Sequence, residues 1–270
     1  MTTISDLATR AEGGPPFGPP GNIAPPEGGV RYPTLRRLLP GRRRQHEHLD
    51  RPDLPAAERA ASHADLDRLA GLPGQLRPLA RAILHLVRQR AAPPRRRPRV
   101  RLLELGAGTG HVGLRLARLL RRRGYEVALH LTDLRTELLP PAGAAEGLSV
   151  SVSRLDVLAD ALPETDIAYA NLLLHHLDDE AAALLLGRMR DAARWGGAVY
   201  DLDRTALCFA VLRRLIPCLA RSPVTVADSL LSVQQAFRPN EVLRLCRAAG
   251  IAAPRVTRHL WIRWCLRWGR

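Results

Sequence analysis

From residue 100 to the end, short apolar runs of strand length alternate with longer stretches whose apolar residues recur every three or four positions. The runs at 100–104 (VRLLE), 127–132 (VALHLT), 149–154 (SVSVSR), 166–170 (DIAYA), 197–202 (GAVYDL), 254–260 and 262–268 predict seven strands. Between them the helical period predicts helices over about 111–123, 135–140, 178–193 and 239–249. Strand and helix in alternation indicate an α/β fold, a doubly wound parallel sheet covered on both faces. The segment 203–237 is longer than a simple connection needs and is expected to form an inserted lid.

The part before residue 100 reads differently. Residues 1–30 (with GGPPFGPPGNIAPPEGG) offer little that could enter a core and are expected to be a disordered tail. Residues 31–98 carry helical spacing in pieces, at Leu66, Leu69 and Leu72 and again at Leu79, Ile83, Leu84, Leu86 and Val87, interrupted by Pro55, Pro73 and Pro78. This predicts a helical N-terminal cap, ended by AAPPRRRPR at 91–99, with the main domain occupying 99–270.

Composition narrows the function. The 270 residues include 41 basic against 26 acidic ones, a formal charge of +15, which first points to nucleic acid. Every basic residue is Arg and none is Lys, yet phosphate binding gives no reason to exclude Lys, so the charge weighs little. It is clustered: residues 91–135 hold 11 Arg and 3 acids, and 241–270 hold 7 Arg and 1 acid. Aromatic residues make up only 4% and none is interleaved with the Arg runs, so base-stacking platforms are not evident. No run of 18 apolar residues and no signal-peptide layout occurs, and a cytoplasmic protein is expected. Cys208, Cys218, Cys246 and Cys265 lack CxxC spacing and read as reduced thiols.

The chemistry concentrates after the first strand, in Glu104-Leu-Gly106-Ala107-Gly108-Thr-Gly110. Glycines in a strand-to-helix turn let backbone amides and a helix N-terminus approach a ligand closely. A dinucleotide fingerprint would need glycine at position 111, where His111 stands, and no GK[ST] follows for a phosphate loop.

This ExGxGxG string resembles motif I of the class I S-adenosylmethionine-dependent methyltransferases. Asp133, 23 residues beyond Gly110, and Asp156, a further 23 on, fall where that family places the acids that bind the cofactor's ribose and adenine. The resemblance implies a Rossmann-like seven-stranded sheet with the last strand antiparallel. It also implies a cradle for S-adenosyl-L-methionine of Glu104, Gly106, Ala107, Gly108, Gly110, Asp133, Leu134, Asp156, Val157 and Asn171, with Glu104 near the cofactor's ammonium group.

Four further strings, NLLLHHLDDE at 171–180, DLDR at 201–204, LLSVQQAF at 230–237 and HEHLD at 46–50, resemble a bacterial group of small-molecule methyltransferases. That group is related to quinone-biosynthesis enzymes and often encoded beside type III polyketide synthases, which implies secondary metabolism. The expected reaction is methyl transfer to a small hydrophobic or aromatic acceptor, phenolic, quinol or polyketide-like, at oxygen or carbon. RNA is the alternative acceptor, disfavoured because Asn171 is followed by three leucines where amino-methylating nucleic-acid enzymes carry a Pro-Pro-aromatic string.

His175 and His176, just past the fourth strand, are the candidate general bases, and His176 with Arg204 the candidate acceptor contacts; Arg204 could equally pair with Asp201 or Asp203. His175, His176, Asp178 and Asp179 can be written as metal ligands, but acids suit a helix N-terminus, and no metal is expected. The stretch from Leu207 to Leu219 is expected to cover the acceptor mouth, with a membrane-surface contact and a homodimer both left open.

Overall fold

In a computed structural model of the protein the described residues are 41–43, 45–90, 98–141, 147–260 and 262–270. The expected tail at 1–30, the start of the cap and most of the 91–99 linker lie outside them. Two helices come first, α1 (Ala56–Gly71) and α2 (Arg77–Arg90), followed by β1 (Arg99–Leu105), α3 (His111–Arg122), β2 (Glu126–Asp133), β3 (Ser149–Arg154) and β4 (Thr165–Asn171). Then come α4 (Asp179–Ala192), β5 (Ala193–Leu202), α5 (Ala206–Leu219), α6 (Pro223–Gln235), α7 (Pro239–Ala248), β6 (Arg255–His259) and β7 (Arg263–Gly269).

The seven strands form one sheet in the order β3-β2-β1-β4-β5-β7-β6, and β7 alone runs antiparallel to its neighbours. Strand order reverses direction between β1 and β4, so the crevice at their carboxyl ends is the switch point where open α/β sheets bind ligands. The glycine loop leaves β1 there, and the histidine pair leaves β4 beside it.

Period-2 alternation sends Leu102, Leu129, Leu131 and Ile167 to one face and Leu103, Leu105, Ala168 and Ala170 to the other. Helices α2 and α3 cover the first face and α4 and α7 the second, giving three layers. Leu79, Ile83, Leu86 and Val87 of α2 are almost fully buried in the same cluster as β1 and β2. Burying each such side chain contributes roughly 1.5–3 kcal/mol. The second cap helix is therefore an integral part of the sheet's packing.

Three predicted boundaries shift. The helix expected at 135–140 is a single 3-10 turn, Thr136–Leu138, and the lid at 203–237 holds two helices, α5 and α6. The fifth strand, expected from 197, begins at Ala193. Gly196, just before the expected start, lets strands approach closely: a Cβ there, at φ +139°, would collide with the Trp268 carbonyl of β7.

Candidate cofactor and acceptor site

The loop after β1 is pinned to the end of β2: Ala107 N–H donates to the Thr132 carbonyl at 2.9 Å, and Gly110 N–H to that of Ala107 at 2.8 Å. Gly106 lies at φ +65°, and a Cβ there would stand 2.8 Å from Leu173 Cδ1, so both backbone and space require glycine. Gly108, at φ +56°, has nothing within 4 Å of a Cβ position. That open side of the loop, just before α3, is a cradle for a ligand that needs backbone donors.

Three strand ends deliver the remaining cradle residues. Asp133 accepts from Gly108 N–H at 2.8 Å and from Arg135 N–H at 3.0 Å, which ties loop and strand end together. Leu134, partly buried, follows it. Asp156 and Val157, both buried, follow β3, and Asp156 Oδ1 accepts Leu158 N–H at 2.9 Å. Asn171 closes β4 with its Oδ1 buried and without a hydrogen-bond partner, as is His111 Nε2 at the start of α3. A buried acceptor left unpaired costs free energy, so Asn171 Oδ1 marks a position that a ligand's donor fits.

Glu104 occupies a different place from the one expected. It is 2% exposed; its Oε2 accepts from the Tyr169 hydroxyl at 3.1 Å, and the Gly113 amide also donates to its carboxylate. Burial outweighs both donors and lifts its pKa to about 8. The side chain thus supports the loop and α3 from within the sheet and does not open to the cradle, because it points to the α3 face.

The acceptor rim is built after β4, where Leu174–His176 form a 3-10 turn. His175 is buried, with Nδ1 2.7 Å from Asp201 Oδ1 of β5, its backbone N–H donating to Asp201 Oδ2 at 3.1 Å, and Nε2 3.6 Å from Glu47 Oε1. Burial opposes a charged ring, but Asp201 and Glu47 prevail and hold its pKa at about 10. Both ring nitrogens of His175 thus face carboxylates, Asp201 at Nδ1 and Glu47 at Nε2, an arrangement that raises its proton affinity. His176 packs against it with ring centroids 4.2 Å apart, is more open, and has Asp50 Oδ2 3.5 Å from Nδ1. Burial and the neighbouring ring push its pKa down, while Glu47 and Asp50 more than compensate.

Glu47 and Asp50 belong to a strap across this rim. Arg42 donates to the carbonyls of Gln235 (2.7 Å) and Leu177 (2.6 Å) and to Asp179 (2.9 Å), with its guanidinium 3.5 Å from the Phe237 ring centroid. Asp228 of α6 accepts the His48 and Leu49 N–H groups, each at 2.9 Å, and stands 2.7 Å from His48 Nδ1. Arg135, next to Asp133, donates to the Leu49 and Asp50 carbonyls at 3.1 and 3.0 Å, and Thr109 of the glycine loop donates to Asp67 of α1 at 2.5 Å. One segment therefore joins the lid, the histidine turn and the cofactor cradle. The residues of this strap were visible in sequence only as HEHLD, two acids beside two histidines.

Arg204, expected at the acceptor or paired with Asp201 or Asp203, is turned inward, where its charge acts on Asp203. It is 2% exposed, donates to the Ala236 carbonyl at 3.0 Å, and is ion-paired with Glu241, so its guanidinium fastens the end of β5 to the turn between α6 and α7. Asp203 also pairs with Arg258 at 2.8 Å. The lid buries Cys208, Phe209 and Ile216 of α5 and leaves Leu207, Leu215 and Leu219 exposed. Among the described residues no helix is long and apolar enough to cross a membrane.

No protein-family model and no curated protein matches this chain. Solved structures do. Human N-acetylserotonin methyltransferase in complex with SAM aligns at TM-score 0.51 and 17% identity over 77% of this chain and 54% of its own. An O-methyltransferase family 2 protein from Planctomyces limnophilus in complex with apigenin aligns at 0.51 and 14%, over 81% and 63%. An O-methyltransferase family protein from Burkholderia thailandensis aligns at 0.50 and 19%, over 79% and 59%. The chain has the fold of these methyltransferases. It spans between about half and two thirds of their lengths, and at such identities the likeness is one of fold.

Proposed function

We propose that the protein transfers a methyl group from S-adenosylmethionine to a small hydrophobic or aromatic acceptor. One observation carries the cofactor half: a glycine loop open at Gly108, ringed by Asp133, Asp156 and the unpartnered Asn171 Oδ1 at consecutive carboxyl ends of the sheet. Those groups suit the cofactor's hydroxyls and amines, and the sulfonium, when bound, presents its methyl to an in-line nucleophile.

The acceptor half rests on the rim. The strap and the lid enclose it, Phe209, Leu230 and Val233 give the lid an apolar interior, and His176 is the more open ring on that side. Enclosure positions an acceptor and excludes water. Phenolic, quinol and polyketide-like molecules, the acceptors of secondary metabolism, fit such a site, and one of the fold's relatives holds apigenin. A cytoplasmic location belongs to the same reading.

The experiment is calorimetry with S-adenosylmethionine, followed by a mass-shift screen of the protein and cofactor against phenolic, quinol and pyrone acceptors, with RNA as a separate arm. Saturable cofactor binding and a gain of 14 Da, the mass of one methylene (about one CH₂ unit), on a small acceptor support the proposal. Methylation of RNA alone would overturn its acceptor half, and no cofactor binding would overturn both.

A further inference from the structure

We propose that Glu47, His175 and His176 form a binding site for one divalent first-row metal ion of the zinc class. One ligand atom from each lies within 4.8 Å of the others. The three come from separate parts of the chain, the N-terminal strap and the turn after β4, and two of them are buried. Two imidazoles and one carboxylate make up a donor set used by zinc and related divalent ions that keep a coordination position open.

Distances within the cluster leave room for a shared ion. Direct histidine–carboxylate pairs close to 2.7 Å at His175 Nδ1–Asp201 and His48 Nδ1–Asp228, while His176 Nδ1–Asp50 stands at 3.5 Å. His175 Nε2 and Glu47 Oε1, both buried, stop at 3.6 Å. Two ligands each about 2.0–2.1 Å from one ion, at near-tetrahedral angles, stand roughly 3.4 Å apart. The 3.6 Å gap is that of an edge of a coordination polyhedron.

The outer partners are those a metal-binding histidine requires. Asp201 holds His175 at Nδ1 and is itself fixed by the His175 and Leu202 N–H groups, which aims Nε2 at Glu47. Asp50 faces Nδ1 of His176, and Ser232 donates its hydroxyl to Glu47 Oε1 at 2.5 Å. Carboxylates at the far nitrogen fix ring orientation and raise ligand basicity. A divalent ion would bring positive charge among Glu47, Asp50 and Asp201, and any proton on a ligating nitrogen leaves to solvent as the ion binds. A metal at the rim would polarise an acceptor hydroxyl; that clause alone rests on the methyl-transfer reading.

The test uses the full chain, stripped with a chelator and titrated at pH 8 with Zn²⁺ and, separately, with Co²⁺. The expected result is one ion taken up per chain, a rise in melting temperature, and visible Co²⁺ absorption bands of nitrogen and oxygen coordination. Glu47→Gln and His176→Gln should each weaken uptake at least tenfold, while His85→Gln on α2 should leave it unchanged. The wild-type Co²⁺ spectrum reads the ligands even if a variant misfolds. No saturable uptake, or equal uptake in the Glu47→Gln/His176→Gln double variant, would overturn the site. Cofactor binding, measured in the same preparation, reports separately on methyl transfer.

Discussion

Glu104→Gln probes the most costly group in the sheet. The carboxyl ionises near 4.5 in an unfolded chain and at about 8 in the fold, where burial dominates and Tyr169 and the Gly113 amide only partly offset it. Between those values the unfolded state binds fewer protons than the folded one, so stability must fall as pH rises. The slope is about 1.4 kcal/mol per pH unit, amounting to roughly 3 kcal/mol at pH 7 as an upper bound. Glutamine cannot ionise and removes this slope. It adds its own penalty, because its NH₂ meets donors at Tyr169 and Gly113, a constant cost of about 1–3 kcal/mol. The diagnostic quantity is therefore the change with pH, not the difference at one pH. Urea unfolding of the cofactor-free wild type and variant at pH 5.5, 6.5 and 7.5 should give curves that converge or cross, with the wild type losing relative stability at each step. Parallel profiles would refute the argument, since they would mean that Glu104 carries no perturbed proton.

Gly108→Ala meets open space at φ +56°, so it should cost only about 1 kcal/mol of stability yet weaken S-adenosylmethionine binding at least tenfold by calorimetry. Gly106→Ala, whose Cβ would press on Leu173, should lower thermal stability more than Gly108→Ala does. Arg204→Met removes one of the donors to the Glu241 carboxylate, the Arg238 N–H remaining, and should destabilise by roughly 1–3 kcal/mol in urea unfolding, with cofactor affinity per folded molecule unchanged. Arg42→Lys keeps the charge but cannot reach several acceptors at once, so amide exchange across residues 45–50 should speed up in mass spectrometry while the sheet stays protected.

The cradle was legible in the sequence because its parts are local. The glycines sit in one turn, and Asp133 and Asp156 recur at the spacing of one βα unit, so strand counting alone brings them to the same rim. The histidine pair falls at the end of β4 as the strand pattern suggests, but its carboxylate partners were out of view, since Asp201 is 26 residues away and Glu47 lies in the N-terminal strap. The strap was out of reach for a similar reason: Glu47 meets Ser232 across 185 residues, and Arg42 meets Asp179 across 137. No periodicity encodes such pairings. Arg204 shows the opposite failure, where a cation at a strand end looked available and was in fact taken by Glu241 from the next helix.

The Arg-only basic charge can now be given a physical use. Arg42 binds two backbone carbonyls and a carboxylate while stacking on Phe237; Arg135 ties the strap to the cofactor side through two carbonyls; and Arg204 locks β5 to α7. A planar fork with five donors can serve several acceptors at fixed angles, and an ammonium point charge cannot. These residues spend their donors on the protein's own carbonyls and carboxylates, most of them at the rim, so the cations nearest the site are committed to closing it. Those cations are therefore not a basic surface for a phosphate backbone. The groups that remain around the cradle and the rim are Asp133, Asp156, Asn171 and His176, which under the proposed function suit an uncharged or weakly acidic small molecule beside a cationic cofactor.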